Sequence, residues 1–143
     1  MVIHVLALLV AQSLFAGLPV DGIRCDSMEG AVEHIHAHLK LTQGSHPFEV
    51  PAGIGIPQGS QCLYWLHTHS ADGLLHIESP EKRTFTLGQF FDIWGQRLSR
   101  TQAAGVRAPR GHTLRVVVNG KRWKGDPRAI PLRDNEEILI ASS

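Results

Sequence analysis

Residues 31–42, AVEHIHAHLKLT, alternate between apolar and polar side chains with a period of two. Only an extended strand sends every second side chain to one face, so this stretch commits the chain to a half-buried strand. One face carries Glu33, Ile35, Ala37, Leu39 and Leu41. The other carries Val32, His34, His36, His38 and Lys40. The aliphatic face predicts a core beneath it. The histidine face predicts contact with solvent or with a second layer. With 43% hydrophobic and 19% charged residues the chain can bury such a core and is not a disordered tail. A length of 143 residues suits one ordinary domain, expected over 21–143.

The rest of the chain reads as short strands and one helix. Residues 43–47 predict a turn and 48–50 a short return strand. The Gly- and Pro-rich stretch PAGIGIPQGS (51–60) predicts a loop. CLYWLHTH (62–69) and LLHIES (74–79) predict strands joined by a Ser-Ala-Asp-Gly turn. Residues 84–86 offer one more short strand. LGQFFDIWG (87–95) predicts an amphipathic helix, with Leu87, Phe90, Phe91 and Trp94 on one face. Thr86 and Gln89 form a capping box at its start, and Gly95 stops it. Residues 96–112 lack periodicity and predict a mobile loop. LRVVVNG (114–120) predicts a strand with an Asn-Gly turn into 121–123, and 131–141 a turn followed by a final strand. The expected class is α+β, mainly antiparallel β: a small sheet with one short helix.

Histidine placement carries the functional signal. Alternate Cα atoms on a strand lie roughly 6.6–7 Å apart, so adjacent rings of an H-x-H pair can converge on one ion. HIHAH supplies His34, His36 and His38. HTH supplies His67 and His69, and His76 follows on the next strand. A four-residue turn over 70–73 sets His76 opposite His67, and a two-residue Asp-Gly turn sets it opposite His69. A three-residue turn would pair Thr68 with His76 and break the cluster unless a bulge restored it. Glu78 shares the face as a ligand, an orienter of ligands or a general base. Imidazole with possible carboxylate suits Zn(II), Cu(II), Ni(II) or non-haem iron, and a transition metal of Cu or Zn type is the expected cofactor. Besides Met1 the chain has only Met28, which disfavours thioether-based Cu(I) handling. The competing reading is a histidine-rich sheet face without metal. His46 and His112 lie in loops and are not expected as ligands.

Cys25 and Cys62 are the only cysteines. In an oxidising compartment a single disulfide is the economical reading. The rival is a Cys62 thiolate ligand, five residues before His67. Residues 1–20 contain no Lys, Arg, Asp or Glu and resemble an export signal, with a retained N-terminal anchor as the alternative. Cleavage would remove His4. The expected location is therefore secreted, periplasmic or otherwise extracytoplasmic.

Net charge is +1, which argues against a nucleic-acid partner. Ten of the fourteen Lys and Arg residues nevertheless lie between Arg97 and Arg133. That region is a solvated basic surface or a dock for an anionic lipid, glycan or protein. No P-loop, dinucleotide fingerprint or nucleophile elbow is present. Three functions remain: metal binding outside the cytoplasm, a metal-dependent enzyme with an open three-histidine site and Glu78 as base, or a structural interaction domain.

The string HIHAHL…PAGIGI…CLYWLHTH…GLLHIESP…TFTLGQFFDIWG resembles a family of uncharacterised exported bacterial and archaeal proteins, over roughly 23–98. The resemblance implies no assigned activity. The stretch VNGKRW…PLRDNEEILI is similar to β-grasp domains of the ubiquitin-like and sulfur-carrier type. It implies a β-grasp-like C-terminal half. The Ala141-Ser142-Ser143 end lacks the Gly-Gly that carrier activity needs.

Overall fold

The alternating segment forms the long strand β2 (Glu33–Gln43), preceded by a two-residue strand β1 (Cys25–Asp26). This is a computed structural model, and it describes residues 17–143. The expected export segment at 1–20 thus falls mostly outside the described residues. After β2 come β3 (His46–Phe48), β4 (Leu63–Tyr64), β5 (Leu66–His67) and β6 (Leu74–Ser79). Helix α1 (Leu87–Trp94) follows. Then come β7 (Gln102–Ala103), β8 (Val106–Arg107), β9 (Arg115–Val118), β10 (Lys121–Arg122), a 3-10 turn (Pro127–Ala129) and β11 (Glu136–Ser142).

The main sheet runs β10-β9-β11-β2-β6-β5, with β3 also paired to β2. Every pairing in it is antiparallel except β11 with β2, which run parallel. The class is α+β, as expected, but the sheet is mixed. Alternation in sequence specifies which face a residue takes, not which strand lies beside it.

Register then puts the aliphatic residues on one face. Ala37 lies beside Leu75, Ile35 beside Ile77, Leu39 beside Ile138 and Leu41 beside Ile140. Phe85, Leu87, Phe90 and Phe91 cover that face, each at most 1% exposed. The helix begins as expected. The Thr86 hydroxyl accepts from the Gln89 backbone N–H, and the Gln89 side chain accepts from that of Thr86. Gly95 closes it in the left-handed conformation (φ 77°). The Asn119-Gly120 turn joins β9 to β10 with both residues at positive φ, the type I′ geometry that such a pair favours.

Three local expectations are corrected. The return strand begins at His46, within the expected turn. Residues 62–69 do not form one strand: Leu63–Tyr64 pair with β1, while Leu66–His67 pair with β6. Trp65 sits at the switch, its carbonyl taking the Glu78 N–H and its indole N–H donating to Asp26. Residues 96–112 contain the β7–β8 hairpin, with Ala103, Ala104 and Val106 buried. A run that short gives no periodicity to read.

Cys25 and Cys62 form a disulfide. It pins the segment before β2 to β4, and so rules out Cys62 as a free thiolate ligand in this structure.

Candidate metal centre

The opposite face of β2, β6 and β5 gathers the histidines. Across β2 and β6, His34 lies opposite Glu78 and His36 opposite His76. Across β6 and β5, His76 lies opposite His67, the register of a four-residue turn. Thr68 and His69 then leave the sheet, and the Thr68 backbone bonds to Gly53 and Ile54. His69 still reaches the cluster, with its ring centroid 4.7 Å from that of His76.

His67 is the most constrained residue of the site. Its side chain is 0% exposed. Nδ1 lies 2.7 Å from the Tyr64 carbonyl oxygen. A carbonyl only accepts, so Nδ1 carries the proton and Nε2 keeps its lone pair. Nε2 is buried and has no hydrogen-bond partner. It lies 3.8 Å from Glu78 Oε1, inside the cluster. Burial holds the His67 pKa below the ordinary histidine range, so the ring favours its neutral, ligating form.

The neighbours complete a donor set. Ligand atoms of His67, His69, His76 and Glu78 all lie within 4.8 Å of one another. So do those of His34, His36 and Glu78. His76 Nδ1 is 3.1 Å from His36 Nε2 and 3.3 Å from Glu78 Oε1. Burial, then repulsion from the surrounding histidines, pushes the His76 pKa down to about 4. Burial also pushes Glu78 up, to about 7, helped by its hydrogen bond with Glu29 and that carboxylate's charge. The same hydrogen bond holds Glu29 below the usual carboxylate range. Donors of a tetrahedral ion with ~2.0–2.1 Å bonds sit ~3.4 Å apart, so modest ring rotations would close either group onto an ion.

Glu29 was not legible as a site residue in the sequence. Its Oε1 lies 3.2 Å from His69 Nε2 and 3.9 Å from His67 Nε2. The segment is placed by backbone bonds from Gly30 to the Glu78 carbonyl and from Val32 to the Ser79 carbonyl. His38, by contrast, is not brought to the cluster. Its Nδ1 lies 2.9 Å from Glu137 Oε2 and its Nε2 2.9 Å from the Asp72 carbonyl. Its ring nitrogens thus face β11 and the 70–73 turn rather than the cluster. In the basic region, Arg128 pairs with Asp92 at 2.6 Å and Arg100 donates to the Lys124 carbonyl.

One loop glycine holds His67 in place. Gly55 has φ 74°, and its carbonyl takes the Tyr64 N–H. A Cβ there would lie 2.4 Å from the Leu66 carbonyl oxygen and 3.1 Å from His67 Cβ. Gly55→Ala is expected to cost about 1–3 kcal/mol, through strain at positive φ and displacement of β5. Thermal melts would measure the loss, and a variant as stable as the native protein would refute the close packing.

No known protein-family profile, curated protein or solved structure matches this chain.

Proposed function

We propose that this chain is an exported domain that binds a transition metal ion of Cu(II) or Zn(II) type through His67, His69, His76 and Glu78. The observation that carries the reading is His67. A buried imidazole with one nitrogen donating to a carbonyl and the other unpartnered is costly unless something binds that lone pair. A metal-ligating histidine usually makes just such a backbone hydrogen bond through its second nitrogen, which fixes its tautomer. Imidazole donors with one carboxylate suit Zn(II) and Cu(II). A set of four protein donors favours storage, sensing or handover of the ion over catalysis, which needs an open position.

The disulfide supports an oxidising, extracytoplasmic setting. Among the described residues no helix is long and apolar enough to cross a membrane. The β-grasp resemblance draws support from the order of β2, β6, α1, β9, β10 and β11, with β11 inserted between β9 and β2.

The test is elemental analysis of protein purified without a histidine tag, beside a His67→Ala/His69→Ala double variant. The native protein should retain copper or zinc through dialysis, and the double variant should lose it. His69→Ala alone separates ligand loss from misfolding, because that side chain is 45% exposed. Equal metal content in all three would remove the site.

A further inference from the structure

We propose that the face holds two transition metal ions rather than one, with the Glu78 carboxylate bridging them. This rests on the metal-binding reading above and extends it to a second site formed by His34 and His36.

The argument is geometric. Strand β6 lies between β2 and β5 and carries His76 and Glu78 on the histidine face. Each flank supplies one H-x-H pair: His34 and His36 from β2 on one side, His67 and His69 from β5 and the residues after it on the other. One ion with ~2.1 Å bonds reaches donors no more than ~4.2 Å apart. Donor atoms lying within 4.8 Å of one another fall into two sets, His67, His69, His76 and Glu78 on one side and His34, His36 and Glu78 on the other, and neither set holds both pairs. The sets adjoin where His36 Nε2 lies 3.1 Å from His76 Nδ1.

Glu78 is the residue common to both groups. Its Oε1 lies 3.7 Å from His34 Nε2 on one side and 3.8 Å from His67 Nε2 on the other. Both contacts are made by Oε1, so the bridge would use that one oxygen, or a turn of the carboxylate that presents Oε2 to the second ion. Paired-metal sites hold their ions ~3.5–4 Å apart, a spacing that a bridging carboxylate on the central strand can span. Glu78 is 4% exposed, so its charge is kept out of bulk water among imidazoles. Two cations flanking it would give that buried charge its compensation. The sites also differ in exposure. The His67 side chain is fully buried, whereas that of His34 is 58% exposed. The β2 ion would therefore be the one open to solvent and to exchange.

The experiment uses the full tag-free protein, stripped with chelator, dialysed against excess Zn(II) and counted by mass spectrometry of the metal. About two zinc ions per native chain and about one per His34→Ala/His36→Ala chain are expected. His34 is exposed and His36 lies outside the hydrophobic core, so this variant should still fold, and its metal-free melt beside the native one reads the loss of the His36–His76 hydrogen bond. One ion per chain in both proteins would overturn the second site and leave the first standing. No retained ion in the native protein would overturn both. The bridge is read with Cu(II). Ions coupled through Glu78 should give an electron paramagnetic resonance spin count well below the copper content in native protein, and a full count in the His34→Ala/His36→Ala variant. A full, uncoupled count from a native chain holding two coppers would refute the shared carboxylate. Glu78→Gln, which keeps the side-chain shape, should weaken both sites at least tenfold. Weakening of only one would likewise refute the bridge.

Discussion

Zinc held at a hundred times its dissociation constant is expected to stabilise the metal-free protein by about 2.7 kcal/mol and to raise Tm by roughly 10 °C. The gain arises because the folded chain presents assembled donors and the unfolded chain does not. Chelator should reverse it. At pH 6 the binding should also expel protons, one of them from Glu78. With its pKa near 7, Glu78 is mostly protonated at pH 6, while His76, near 4, is already neutral. Calorimetry in buffers of different ionisation enthalpy would count the protons, and Glu78→Gln should lower the count by about one. A Tm unmoved by metal, or an unchanged proton count in Glu78→Gln, would contradict the assignment.

The same shifts act on the metal-free protein in opposite senses. For His67 and His76 the folded-state pKa is depressed. Their contribution to stability is fully present above the unfolded value of about 6.5 and is lost as pH falls toward the folded value. For Glu78 the folded-state pKa is raised, so its contribution is present below about 4.5 and is lost as pH rises through about 7. Bound metal favours neutral imidazoles and an ionised carboxylate together. The metal-induced rise in Tm should therefore be smaller at pH 5 than at pH 7.5.

Replacing Cys25 and Cys62 together with serine is expected to cost about 4 kcal/mol and roughly 15 °C in Tm. The cross-link spans a sequence separation of 37 residues, and closing a loop of that size removes about that much conformational freedom from the unfolded chain. The effect should extend to the site. The disulfide joins β1 to β4, and the chain passes directly from β1 to Glu29 beside His69. β4 also supplies the Tyr64 carbonyl that orients His67. The variant should therefore bind metal more weakly even at temperatures where it is fully folded. Metal titration below the new melting transition would detect this. An unchanged Tm would mean that the cross-link constrains little in the unfolded chain.

Much of the centre was legible because strand periodicity is a local property. The alternation over 31–42 assigned His34 and His36 to the face opposite Leu39 and Leu41, while the turn left three registers open, of which the four-residue one, with His76 across from His67, is formed. Glu29 was not legible, since the segment 27–30 has no periodicity and is positioned by its contacts with Glu78 and Ser79, far along the chain. His38 carried the same local signal as His36 and yet sits apart. β11 places Glu137 beside it, and the 70–73 turn offers it the Asp72 carbonyl. Parallel pairing of β11 with β2 was illegible for the same reason: no single strand encodes its partner.

That parallel pairing also bears on when the centre can assemble. β2 has β6 on one side and β11 on the other, and the His36 backbone N–H is held by Asp134, 98 residues away. Contacts so distant in sequence form late and slowly. A chain emerging N-terminus first would display its histidines well before the far edge of their strand was secured. Ions captured in that interval would meet an adaptable, incomplete pocket. The donor set would reach its final geometry only afterwards, in the compartment where folding finishes.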